Sequence, residues 1–150
     1  MAEFTNPYIY SSGDFELGDY VIVDLYGIDN SVHDKAVVKI NSLSNRKIGF
    51  INPKTGHQNY VRTSEKRIHP IPLSDEYLPH FGFKKTNGPY WCLIFHWKAD
   101  VCIFDTGVLI SGHIINCEKK DLYIHNIQHL INFFPETKPY KKYFNYESTN

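Results

Sequence analysis

The first half of the chain alternates apolar and polar positions with a period of two, broken at regular intervals by turn-forming residues. In Tyr20–Tyr26, Val21, Val23 and Leu25 fall on one side and Tyr20, Ile22 and Tyr26 on the other, which predicts a strand with apolar bulk on both faces. Further strands are predicted over 35–41, 47–51, 59–62 and 66–69. Between them lie a loop over 27–34, a turn at 42–45 and the cluster Asn52-Pro53-Lys54-Thr55-Gly56, where Pro fixes φ and Gly supplies positive φ. Five short strands at this spacing predict a small SH3-like barrel, and an open meander reads much the same.

Pro70 and Pro72 bar a further paired strand. Ser74 is placed to cap a short helix through Leu78, with Asp75 and Glu76 where the helix dipole favours acids and Gly82 as a stop. Runs over 90–97, 100–104 and 108–115 predict a three-stranded meander. From Leu122 to Phe134 the period becomes helical. Tyr123, Ile127, Leu130, Ile131 and Phe134 form one stripe, Asp121 is the expected cap, and Pro135 ends the helix. Residues 138–150 show no apolar helical period and are expected to fray. The expected class is α+β, mostly β: an SH3-like barrel or meander, then a three-stranded antiparallel sheet packed by one C-terminal helix. The corresponding division is a flexible lead-in over 1–16, an SH3-like subdomain over 17–72, a helix–meander–helix region over 73–135 and a tail over 136–150.

A content of 42% hydrophobic and 21% charged residues is enough for a real core. Aromatic residues reach 15%, which fits either large rings filling a small β-rich core or exposed tyrosines used for binding. Net charge is +0, which argues against a general nucleic-acid coat, since phosphate neutralisation needs a basic excess; a local basic patch stays open. Three cysteines without dense spacing, and no basic or apolar leader at the start, predict reduced thiols in a cytoplasm. The longest apolar run, Tyr90–Phe95, is too short to cross a bilayer, so no membrane association is expected.

Two segments carry a resemblance. One is Ile68-His69-Pro70-Ile71-Pro72-Leu73-Ser74-Asp75-Glu76-Tyr77-Leu78-Pro79-His80-Phe81-Gly82-Phe83. The other is Tyr123-Ile124-His125-Asn126-Ile127-Gln128-His129-Leu130. With the Gly18-Asp19-Tyr20-Val21 opening, they resemble small uncharacterised proteins encoded by phages and mobile elements of gut Bacteroidetes bacteria, over roughly residues 17–135. Asn132-Phe133-Phe134-Pro135 departs from the ending usual in that group. The resemblance implies a protein of the host bacterial cytoplasm that acts by binding a host or viral protein.

Several constellations suggest chemistry, each with a plainer reading. Asp105-Thr106-Gly107 is the aspartic-protease tripeptide, but Val108 follows it where Ala or Ser is usual, and a hairpin turn explains the same residues. Cys92/His96 and His113/Cys117 tempt a zinc reading, but residues four apart on a strand lie about 13 Å apart. His125 and His129 share a helix face, with Asn126 where a metalloprotease needs Glu. No phosphate loop or nucleophile elbow is present, and no cofactor, metal or catalytic residue is predicted.

The basic residues Lys35, Lys39, Arg46, Lys47, Lys54, Arg62, Lys66 and Arg67 gather in the first half. With Phe50, His57 and Tyr60 interleaved, they could track a nucleic-acid backbone while rings stack on bases; alternating solvent-facing charges explain them equally. The lack of a catalytic set, the neutral charge and the aromatic richness, together with what the resemblance implies, lead to the expectation of a non-enzymatic interaction protein that binds a host or viral protein, with inhibition of a host defence process as one such role. The alternatives are a small nucleic-acid-binding module using Arg46, Lys47, Phe50, His57, Tyr60 and Arg62, or a nucleotide or small-ligand pocket near His125 and Gln128.

Overall fold

The computed structural model describes residues 15–26, 32–86, 88, 90–95 and 98–147, with the backbone alone at 32, 33, 95 and 98–100. These residues fall into two compact units, 15–71 and 72–147. The architecture is mostly β, with three sheets and one α-helix among the described residues.

In the first unit, β1 (Tyr20–Tyr26) lies between β2 (Val32–Lys39) and β6 (Ile68–His69), both antiparallel to it. A second antiparallel sheet is formed by β3 (Ser42–Leu43), β4 (Lys47–Ile51) and β5 (Gln58–Arg62). A 3-10 turn, Thr63–Glu65, separates β5 from β6. The six strands make two three-stranded sheets and no closed barrel. One core serves both sheets: Val21, Val23 and Leu25 from β1, Val38 and Ile40 from β2 and its end, Ile48 and Phe50 from β4, and Val61 from β5. The alternation read in β1 is therefore real, and the opposite-facing Tyr20 and Ile22 are buried as well. β2 starts three residues before the expected strand, and the predicted turn at 42–45 contains the short strand β3. Of the expected lead-in, only 15–16 are described; the Glu16 amide donates to the buried Asp19 carboxylate at 2.7 Å.

The second unit holds a five-stranded antiparallel sheet where three strands were expected. Its members are β7 (Lys84–Lys85), β8 (Trp91–Phe95), β9 (Lys98–Phe104), β10 (Gly107–Ile110) and β11 (His113–Asn116), in the order β11-β10-β9-β8-β7. The run 108–115 reads as one apolar strand, but Ser111 and Gly112 both take positive φ (51° and 80°), as a type I′ hairpin turn requires. The chain doubles back there. Two cross-strand rows are buried on one face: Trp91–Ile103–Val108–Ile115, and Leu93–Val101–Ile110.

The helix expected over 74–78 is a turn followed by a 3-10 helix, Leu78–Phe81. The Leu78 amide does reach the Ser74 carbonyl at 2.9 Å, but Pro79 has no N–H with which to continue the ladder. The main helix, α1, runs over Ile124–Phe133 and starts later than the expected Leu122. Asp121 instead closes a 3-10 turn, Lys119–Asp121, and Asn126 caps α1 by accepting the Tyr123 amide at 2.8 Å. Ile124, Ile127, Leu130 and Ile131 form its buried stripe, and Phe134 at its end stacks on His113 of β11 at 4.7 Å. The segment expected to fray forms a 3-10 helix, Lys138–Tyr143, against α1. Phe144 beyond it is 3% exposed and stacks on Phe81 at 5.3 Å, so one apolar ring anchors a tail that has no helical period.

Candidate nucleic-acid interface

Pairing register decides which residues share the outer face of the β3–β5 sheet. Lys47 lies opposite Arg62, Gly49 opposite Tyr60 and Ile51 opposite Gln58; the intervening pairs, Ile48–Val61 and Phe50–Asn59, point the other way. The outer face thus carries Lys47, Tyr60, Arg62, Gln58 and Ile51, with Ser42 of β3 beside Gly49. Phe50 is 1% exposed in the core. Its expected stacking role is a correction: a ring alternating with Gly49 along β4 faces inward when Lys47 and Tyr60 face out.

Gly49 gives this face its shape. A Cβ there would lie 2.8 Å from Ser42 Cβ, 2.7 Å from Gln58 Nε2 and 2.9 Å from Tyr60 Cε1. Neighbouring side chains close over the bare backbone, and the Tyr60 ring lies across it. Tyr60 nevertheless keeps 57% of its surface exposed. The ring is held from below and open above, which suits a stacking platform. Gln58 is fixed by a reciprocal amide pair with Asn41, both hydrogen bonds being 2.8 Å.

Positive charge gathers at one end of this face. Residues 35–67 contain eight Lys or Arg and one acid, Glu65. Several of these cations have carboxylates: Lys35 lies 3.9 Å from Asp24, Lys54 2.6 Å from Asp34, and Arg67 3.4 Å from Glu65. The Asp34 carboxyl is held below its usual range by its hydrogen bond to Lys54. That of Glu65 is lowered chiefly by accepting the Arg62 backbone N–H. Among the described residues, Arg46 and Lys47 have no carboxylate within ion-pair distance, and Arg62 has only the weaker, longer-range attraction of Glu65, whose carboxylate accepts its backbone N–H. Lys47 and Arg62 are direct cross-strand partners, and the Arg46 carbonyl accepts the Thr63 amide at 2.9 Å, so all three occupy one end of the sheet.

A cleft of about 580 Å³ opens at that same end, lined by Phe15, Leu43, Ser44, Asn45, Ile48, Thr63 and Ile68. Its walls are about equally polar and apolar, and Ile48, which points away from Lys47 and Tyr60, places it on the core side of the sheet and not on the outer face. Ser44, Asn45 and Thr63 are the residues the sequence reading missed. They flank Arg46 and Arg62, and a Ser-Asn pair beside a basic turn was the available signal. His57 is exposed in the β4–β5 loop, at the end of the sheet away from the Lys47–Arg62 pair.

The remaining candidates lie elsewhere. His125 is fully buried on α1 in the second unit. Burial, with neighbouring His129 as a lesser cause, lowers its pKa to about 4, so it is neutral at pH 7. Gln128 is half-buried on the same helix. Neither lines the cleft of about 400 Å³ in that unit, whose walls are Pro72, Leu73, Asp105, Glu118, Lys119, Lys120 and Leu122. Asp105-Thr106 is the β9–β10 turn, and Gly107 is required because a Cβ would collide with the Ile115 carbonyl oxygen. His96 lies outside the described residues. Among those described, no three His, Cys, Asp or Glu side chains come together as a metal site, and no helix is long and apolar enough to cross a membrane. Comparison with protein-family models, with curated proteins and with solved structures returns no match.

Proposed function

We propose that the 15–71 unit is an SH3-like module that binds single-stranded nucleic acid across the outer face of β3–β5. The SH3-like reading is supported by the pairing of β6 with β1, by the β3–β5 meander and by the 3-10 turn before the last strand. The binding reading rests on the Lys47–Arg62 pair, two cations directly opposite each other with Arg46 beside them. Like charges in that register cost the free protein stability. A phosphate backbone relieves the repulsion, while Tyr60 offers its exposed ring face to an unstacked base. The net charge of +0 suits a few specific phosphate contacts better than a coat.

The test is fluorescence anisotropy with a labelled single-stranded oligonucleotide, using Tyr60→Ala as the variant. Losing one stacked base costs about 1–3 kcal/mol, roughly a 5- to 150-fold weaker affinity. Equal affinity of wild type and Tyr60→Ala would remove the platform from the account.

A second reading, binding of a host or viral protein in the host cytoplasm, is favoured by exposed apolar residues on the five-stranded sheet. Ile94 is 53% and Ile114 42% exposed. A stoichiometric protein complex that survives nuclease and is lost on Ile94→Asp would favour this reading; a complex that nuclease dissolves would return the assignment to the basic face.

A further inference from the structure

We propose that Cys92 and Cys102 form a redox pair that closes reversibly into a cross-strand disulfide. They are direct partners in the β8–β9 register and both are present as thiols. The hydrogen-bond phase of the sheet sets how close they come. The Thr86 amide donates to the Tyr90 carbonyl at 3.1 Å, which makes 86 and 90 a hydrogen-bonded pair. By alternation Lys84–Cys92 is hydrogen-bonded too, so the Cys92 backbone groups point at β7. Towards β9, Cys92 therefore stands in a non-hydrogen-bonded pair with Cys102, with Cα atoms about 4.5 Å apart and side chains on the same face.

A disulfide needs Cα atoms about 4.4–6.8 Å apart, so the two sulfurs can join without moving the strands. The spacing lies inside that window, and thiol–disulfide exchange runs in either direction with the redox balance of the surroundings. The two thiols are 3% and 6% exposed. Access comes through local opening of β7, an edge strand of only two residues paired on the Cys92 side. Cys117, the third thiol, is more accessible than either member of the pair but follows β11 and has no cysteine opposite it in the sheet.

The oxidant is a low-molecular-weight disulfide. One cysteine thiolate attacks a sulfur of the reagent and releases one thiol. The second cysteine then attacks the protein sulfur of that mixed disulfide and releases the other thiol. Two protein S–H bonds become one S–S bond, and the reagent is reduced to two thiols.

Oxidised glutathione applied to the folded full-length chain, followed by intact-mass measurement and peptide mapping, tests this. Wild type and Cys117→Ser should each lose the mass of two hydrogens, with Cys92 and Cys102 in one linked peptide pair, and excess reduced glutathione should reverse it. Cys92→Ser and Cys102→Ser should never show that loss and should carry at most a glutathione adduct. A wild type that keeps all three thiols, that joins Cys117, or that links chains to one another overturns the pairing. Circular dichroism on each sample confirms that the reaction took place in folded protein.

Discussion

Replacing Lys47 by Glu should separate stability from binding. In the folded protein Lys47 faces Arg62 directly across β4–β5; among the described residues Lys47 has no carboxylate within ion-pair distance, and Arg62 has only the longer-range attraction of Glu65. A cross-strand charge pair contributes roughly 0.2–1 kcal/mol, with its sign set by the charges. Both side chains are exposed, so the low end of that range applies to each change. Removing a repulsion and adding an attraction then gains about 0.5–1 kcal/mol. For a unit of this size that raises the melting temperature by a few degrees, on the order of 2–8 °C. The same substitution removes one phosphate contact and puts a carboxylate beside the other, which should weaken oligonucleotide binding roughly tenfold or more. Urea and thermal unfolding followed by circular dichroism read the first quantity, and anisotropy reads the second. Lys54→Glu is the contrast, because Lys54 already pairs with Asp34 at 2.6 Å and should not gain stability. A less stable Lys47→Glu protein that binds as tightly as wild type would refute both halves of the reasoning.

Three further substitutions probe the packing. Gly49→Ala should displace the Tyr60 ring and Gln58, since a Cβ there would stand 2.9 Å and 2.7 Å from them; a shifted Tyr60 resonance and weaker oligonucleotide binding are expected, and an unchanged spectrum would contradict the geometry. Phe144→Ala should destabilise the second unit by about 3–5 kcal/mol, the usual cost of deleting a buried ring, and a loss below about 1 kcal/mol in denaturant unfolding would mean that the tail does not pack. His125 has its folded pKa lowered to about 4 from 6.5, so the unfolded chain takes up a proton that the folded chain refuses between those values. Its contribution is intact above about pH 6.5, falls by about 2 kcal/mol by pH 5 and levels off below pH 4. His125→Leu should flatten this part of the stability profile, and an unaltered slope between pH 7 and 5 would exclude the histidine as its source.

Period-two alternation made β1, β4 and β5 legible, and Asn52–Gly56 marked the β4–β5 loop. The same alternation, followed residue by residue, also separates Phe50 from Tyr60. Pooling both as rings on one basic face ignored that Lys47, Gly49 and Ile51 point one way while Ile48 and Phe50 point the other. Other features depend on interactions that a residue pattern does not carry. The split of 108–115 rests on positive φ at Ser111 as well as Gly112, and a serine does not announce it. The start of α1 is set by Asn126 reaching back to Tyr123, not by the acid that precedes it. The tail is ordered by Phe144, one ring in a polar stretch. Of the candidate site, the cations and Tyr60 were visible, whereas the cleft lined by Ser44, Asn45 and Thr63 exists only once β3, β4 and the Thr63 turn meet.

The salt dependence of single-stranded oligonucleotide binding to the wild-type chain tests the central claim most directly. Two phosphate contacts, one each for Lys47 and Arg62, give a slope of about −1.4 in log affinity against log salt, or roughly a 7-fold loss between 50 and 200 mM. That slope, lessened by about 0.7 when Arg62 is changed to Gln, is the expected result. No binding at 50 mM salt, or binding indifferent to salt and to Arg62→Gln, would contradict the account.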